Sequence, residues 1–337
     1  MSSNNILFSV LDLATVRDGC TPTDSFSNSV ALAQHAEQLG YTRYWFAEHH
    51  NMPGVASSAP ALLIGHIAGK TSSIRVGSGG VMLPNHAPLV VAEQFGTLAS
   101  LYPGRIDLGL GRAPGTDQLT ASAIRGKNFY AEHDFPGDIR TLQTLFSSAN
   151  SNSKLRAIPG EGLDIPIWIL GSSTDSAVLA AAMGLPYAFA SHFAPAQFLT
   201  AIKIYRERFV PSDDLQEPYV MACVNVVAAD TDEEAQHLST SVLQLFKGII
   251  TGKRGLLRPP VTDMGADWTP ELEAAVRQML TYAMVGGPAT MAGKLRSFIE
   301  LTGVNEIMAT SHIYDPHARI RSYQIFAEAM QQITTDK

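Results

Sequence analysis

Residues 24–48, DSFSNSVALAQHAEQLGYTRYWFAE, change their hydrophobic period partway along. Val30, Leu32, Ala33, Ala36 and Leu39 recur at the spacing of one helix face, which predicts a helix near 24–40. After Gly40 the pattern becomes a short apolar run, YTRYWFAE at 41–48, in which Tyr44, Trp45 and Phe46 are large and β-prone. A helix that delivers the chain into a buried strand is the unit from which parallel sheets are built.

The unit recurs. ILFSVLDL (6–13), IRVGSGGVML (74–83), RIDLGLG (105–111), PIWILG (166–171), PYAFAS (186–191), YVMACVNVVAAD (219–230) and EIMATSHI (306–313) join 41–48 to give eight strand candidates. Helices are expected near 59–71, 88–101, 128–148, 174–184, 195–208, 231–248, 288–302 and 316–333. Eight parallel strands joined by right-handed crossovers predict an α/β fold, a closed (β/α)8 TIM barrel with insertions. A doubly wound open sheet is the competing architecture. Such a barrel usually takes about 250 residues, so a chain of 337 leaves material for insertions at 112–127, 149–165 and 249–287. The last has its own short helix near 270–284 and is expected to form an insertion or lid on one barrel domain spanning 1–337.

Composition narrows the function. The chain is 45% hydrophobic and carries a net charge of −7 with no long run of either sign, so a nucleic-acid or acidic-membrane partner is not expected. Cys20 and Cys223 stand far apart, in no metal-ligand or disulfide spacing. With no basic leader and no apolar run of membrane-spanning length, the expectation is a soluble cytoplasmic protein.

A barrel of this kind builds its site at the C-terminal ends of its strands, and four ends carry chemistry. In RYWFAEHHNMPG (43–54), alternation puts Glu48 and His50 on one face and Trp45, Ala47 and His49 on the other. No further spacing completes a metal site, so no metal is expected. One imidazole placed for proton transfer is the functional reading, and histidines that merely cap the strand while Glu48 pairs with an arginine are the alternative. The glycines of VGSGGVMLP (76–84) suggest a bulge, tight barrel packing, or a backbone that a flat ligand approaches closely. GLGRAP (109–114) lacks the order of a dinucleotide-binding turn and instead ends a strand on Arg112, suited to an anion or to an acidic neighbour. GSSTDSAVL (171–179) opens a helix with Ser172, Ser173 and Ser176, a plausible phosphate turn or an ordinary N-cap. Together these pieces suit a flat phosphorylated ligand such as flavin mononucleotide (FMN), with His49 at its reactive end.

The run from YWFAEHHNMPG through VGSGGVMLPNHAPLVVAEQFGTLASLYPGRIDLGLGRAPGTD resembles the bacterial luciferase-like flavin monooxygenase family, as do GLPYAFASHFAP and VGGPATMAGKLRSFIELTGVNEIM. The resemblance implies a (β/α)8 barrel that uses reduced FMN, supplied by a separate flavin reductase, and O2 to oxygenate a small organic substrate. It implies that His49 and its neighbour Glu48 are catalytic. Gly79 and Gly80 match a pair joined by a cis peptide under the flavin ring, and Arg112, Ser172, Ser173 and Ser176 match the phosphate-binding positions. Relatives pair through the side carrying helices 59–71 and 88–101, which implies a homodimer. Gly111 stands where light-emitting members carry a reactive cysteine, so light emission is not implied. A deazaflavin-dependent hydride-transfer enzyme and a non-catalytic flavin-binding subunit are the alternatives within the same resemblance.

Overall fold

A computed structural model of the chain describes residues 6–335 apart from 114, 131 and 132. In order, the elements are β1 (Leu7–Asp12), α1 (Pro22–Gln38), β2 (Arg43–Phe46), α2 (Pro60–Ala68), β3 (Arg75–Met82), α3 (Pro88–Leu101) and β4 (Ile106–Gly111). Next come α4 (Gln118–Arg125), α5 (Phe135–Phe146), β5 (Ile167–Gly171), α6 (Thr174–Met183), β6 (Tyr187–Phe189), α7 (Phe198–Arg208) and β7 (Val220–Ala228). The chain finishes with α8 (Asp232–Ile250), α9 (Pro270–Met279), β8 (Met284–Gly286), α10 (Pro288–Thr302), β9 (Glu306–Thr310) and α11 (Pro316–Thr335). β1 to β7 follow one another round the sheet, β9 fits between β7 and β1, and all these pairs are parallel, so eight strands close a TIM barrel.

The eight expected strands are those of the barrel. The ninth, β8, lies at the end of the 249–287 segment and pairs with Val226–Ala228, where β7 overruns the barrel. Three residues are too few to show a strand period. The helix expected over 128–148 begins instead at Phe135, because Pro136 is tolerated only in a first turn and the Asp134 side chain caps it by accepting the Gly137 N–H at 2.9 Å. The loop placed at 112–127 holds α4, capped in the same way by Asp117. α1 starts on a reciprocal capping box between Thr21 and Asp24.

Alternation sorts the strands into an outer face, where Tyr44, Phe46, Phe95, Phe189, Phe198 and Phe326 pack between barrel and helices, and an inner face in layers. The floor is ionic. Arg43 Nη1 lies 2.9 Å from Asp107 and its Nε 3.1 Å from Glu306, while Arg75 Nη2 reaches Asp107 at 2.6 Å. Trp45 Nε1 and the Tyr219 hydroxyl donate to Asp107 and Glu306 at 3.1 and 2.8 Å, and the Ser9 hydroxyl also donates to Glu306. Both carboxylates are fully buried. Above them sit Leu11, Trp45, Ala47, Trp168, Met221, Cys223 and Met308, with the two indoles edge to face at 5.2 Å.

The strand glycines answer to this layer. A Cβ on Gly77 would fall 2.7 Å from Trp45 Nε1, and one on Gly109 2.1 Å from the Ser78 carbonyl oxygen. The β3–β4 register shifts between Gly79 and Val81, the bulge that the glycine run suggested. Tight packing therefore accounts for Gly77 and Gly109.

Cutting one partner out of the floor strands the other charges in a dry interior. We expect Glu306→Ala to lower the unfolding free energy by about 3–5 kcal/mol, read by urea denaturation. A loss under about 1 kcal/mol, the scale of an exposed ion pair, would contradict this account of the floor.

Candidate functional site

β2 ends as alternation requires. Glu48 turns to the outer face, fully buried, where its Oε1 accepts from His50 Nε2 and His86 Nε2, each at 2.8 Å, and its Oε2 accepts the Met82 N–H at 3.0 Å. Burial pushes the Glu48 pKa up, but the hydrogen bond and charge of His86, then the bonds from His50 and Met82, outweigh it and hold the carboxyl below its ordinary value. Glu48 thus ties the end of β2 to the end of β3.

His49 turns to the inner face. Its Nδ1 lies 3.1 Å from the Gly115 carbonyl, which can only accept, so Nδ1 carries the proton and Nε2 keeps its lone pair in the neutral ring. Burial lowers its pKa, and Arg254 adds to that against the opposing pull of Gly115 and Glu48. The Gly79–Gly80 peptide on the neighbouring strand is cis.

The phosphate-type residues sit at the ends of β4 and β5. Arg112 is exposed, with Nη2 3.8 Å from Asp175 in the first turn of α6, so β4 places an exposed guanidinium beside the β5–α6 turn. Ser173 caps α6, its Oγ accepting the Ser176 N–H at 3.4 Å. The Ser176 hydroxyl is used inside the turn, donating to the Ser173 carbonyl at 2.7 Å and meeting the Tyr187 hydroxyl at 2.8 Å. Ser172 lies half-buried between Gly171 and this cap.

The structure adds residues that pattern reading missed. His192 follows β6 and His312 follows β9. Burial drives the His192 pKa down to about 3, with His312 and His49 next in effect, and that of His312 down to about 4, with Arg319 adding to it. His312 Nδ1 stands 3.5 Å from Thr15 Oγ1. Asn225 of β7 donates to the His192 carbonyl, and the stretch around His312 is held by Arg319, which donates to the Ser311 carbonyl at 3.0 Å and to Asp12 at 2.9 Å. Among the described residues, His192 Nδ1, Asn225 Oδ1, Ser57 Oγ and Ser311 Oγ are buried without a partner. The rule that strand ends carry function would have found His192 and His312, since ASH and TSH end their strands as AEHH does. No group of three or more candidate metal ligands occurs among the described residues, and no described helix is long and apolar enough to cross a membrane.

Neutral imidazoles and an exposed guanidinium thus stand at one mouth of this barrel, the end where barrels of this kind build their sites. Residues 6–306 match the family described as Luciferase-like monooxygenase, and the chain belongs to that family. It is 54% identical over 332 residues to the uncharacterized protein YvbT of Bacillus subtilis (strain 168), covering 97% of this chain and 98% of that one. It is 46% identical over 333 residues to a luciferase-like monooxygenase of Escherichia coli (strain K12), covering 99% of both. Among solved structures, apo-MsnO8 superposes with a TM-score of 0.86 at 35% identity over 98% of each chain. At 17% identity, the oxygenating constituent of 3,6-diketocamphane monooxygenase from Pseudomonas putida, in complex with FMN, shares the fold at a TM-score of 0.71, covering 96% of this chain and 97% of that one.

Two titrations check the electrostatics. Imidazole NMR should place the His49 midpoint below the ordinary 6.5 and keep His192 neutral down to about 3; a His192 midpoint near 6.5 would refute its burial. Because the Glu48 pKa is lowered on folding, the stability it contributes is complete above the unfolded value of 4.5 and is lost as pH falls through the lower folded value. Glu48→Gln should therefore be less stable than wild type at pH 7 by about 1–3 kcal/mol, with the gap narrowing in acid, measured by urea unfolding across pH.

Proposed function

We propose that the protein is a monooxygenase that binds reduced FMN at this mouth and transfers one oxygen atom of O2 to a small organic substrate. The observation that carries the reading is the convergence of Arg112 with the β5–α6 turn, on the same mouth as a neutral His49. Family membership and the fold shared with an FMN complex support it.

The residues fit the group. Arg112 would take the phosphate, since its pairing with Asp175 is between two exposed side chains and costs little to exchange. The backbone at Ser172 and Ser173 would add donors at the start of α6, while Ser176 acts indirectly by bracing the turn against Tyr187. Reduced FMN, when bound, supplies the electrons that activate O2. His49, protonated at Nδ1 and open at Nε2, receives a proton or hydrogen bond at Nε2 and does not act as an imidazolium acid at neutral pH. Glu48 holds the β2 and β3 ends in register and is a positioning residue in this scheme. A flavin reductase would deliver the reduced cofactor. A homodimer would form over α2 and α3, where Leu62 is 76% and Leu101 64% exposed.

Anaerobic titration with reduced FMN, followed by mixing with O2, tests the reading. Binding is expected, with Arg112→Ala weakening it at least tenfold, about the worth of one charge-assisted phosphate contact. His49→Ala should keep flavin binding and lose oxygenation of an accepted substrate. Absence of FMN binding, or tighter binding of a deazaflavin than of FMN, would overturn the proposal.

A further inference from the structure

The segment between α8 and α9 sets a cation beside His49 that no step of flavin binding uses. Arg254 is exposed, with Nη1 3.9 Å from the Met52 sulfur in the loop that follows His49 and His50. Backbone contacts fix the segment there: Leu257 N–H donates to the Val16 carbonyl at 2.9 Å, Asp18 N–H donates to the Leu257 carbonyl at 2.8 Å, and Gly255 presses on Gly54. Burial lowers the His49 pKa, the Gly115 bond opposes it, and Arg254 comes next, ahead of Glu48 and His50 among the charges acting on the ring.

Among the described residues no carboxylate comes within ion-pair distance of Arg254. Acidic side chains outnumber Lys and Arg by 31 to 24 in this chain, so the lack is not a shortage of acids. The cation across the seam, Arg17, is engaged, donating to the Tyr314 carbonyl at 3.3 Å and lying over the Tyr314 ring. Water alone would satisfy an exposed guanidinium; what marks this one is its fixed place beside the imidazole of the mouth.

The position separates it from the phosphate corner. Arg112 and the β5–α6 turn stand at the ends of β4 and β5, whereas the Arg254 segment rests on the loops after β1 and β2, three strands round the barrel. The single phosphate of FMN cannot serve both, so an anion on Arg254 belongs to another molecule. Deeper in, a negative charge would go unmatched, because burial keeps His192 and His312 neutral and Arg319 is spent on Asp12 at 2.9 Å. A ligand of this edge therefore keeps its charge at the rim and turns an uncharged end inward. One planar guanidinium matches the two oxygens of a carboxylate.

We infer that Arg254 sets the substrate specificity of the mouth by pairing with the carboxylate of a small monocarboxylic acid, whose uncharged end is the one presented at His49. The inference rests on the monooxygenase reading for the word substrate, but the binding it describes does not need flavin.

The probe is hexanoate, titrated calorimetrically beside hexanamide into the flavin-free protein and into protein saturated with oxidised FMN. Hexanoate should bind at least tenfold tighter than hexanamide in both. Arg254→Gln, at an exposed position, should leave the circular dichroism melt unchanged and erase the preference, and Arg254→Lys should restore part of it. By imidazole NMR the His49 midpoint should move up with hexanoate bound, since the carboxylate offsets the Arg254 charge, and stay in place with hexanamide. Equal affinity for the two probes, no hexanoate binding, a preference that survives Arg254→Gln, competition between hexanoate and FMN, or an unmoved His49 midpoint would overturn the inference. Reduced FMN titrated into the same preparations reports separately on the proposed function, so either result can fail alone.

Discussion

The barrel depends on one guanidinium. Arg43 enters from β2 and reaches both Glu306 on β9 and Asp107 on β4, so a single side chain spans the interior and ties strands that are not neighbours. Burial pulls its pKa down, yet the two carboxylates more than restore it, and it lies over the Trp168 ring with 4.8 Å to the centroid. Truncation of any one member leaves the rest charged and unsolvated, which is why such networks are costly to break even where they add little over an apolar core. With its charges spent at the bottom and its tryptophans above them, the barrel leaves its vacant polar capacity at the other end.

The two ends therefore differ in kind. At the floor every carboxylate oxygen is met by a cation or hydroxyl; at the mouth the ionisable groups facing inward are imidazoles that burial keeps neutral, and several polar atoms have no partner. Neutral rings retain lone pairs for proton traffic, and unmet donors and acceptors retain affinity for a ligand. At the edge of the mouth Arg112 remains exposed.

Much of this was legible in the sequence, for a physical reason. A barrel strand buried on both faces reads as a continuous apolar run, and eight such runs separated by helical periods leave few other closures. Alternation also divided Glu48 and His50 from His49, and the Glu48–His50 contact at 2.8 Å follows that division. Pairings across the barrel were not legible. Nothing local in Arg43 names Glu306, 263 positions away, and His86 joins Glu48 only because β3 lies beside β2. Asn225 is ordinary in its segment and becomes notable only because β6 and β7 lie side by side, which brings it to the His192 carbonyl.

The segment after α8 shows how an insertion can belong to a site without being free of it. Leu257 donates to the Val16 carbonyl at 2.9 Å and accepts from Asp18 N–H at 2.8 Å, a short bridge onto the loop that follows β1. Alongside, a Cβ on Gly54 would fall 2.2 Å from the Gly255 carbonyl oxygen, so the turn that closes NMPG must end on glycine for the two backbones to meet. This seam carries Arg254 to Met52, 3.9 Å from its sulfur, and into the electrostatic range of His49. Any motion of the segment as a lid would have to break these backbone bonds first. It would also move Arg254, whose charge adds to burial in lowering the His49 pKa.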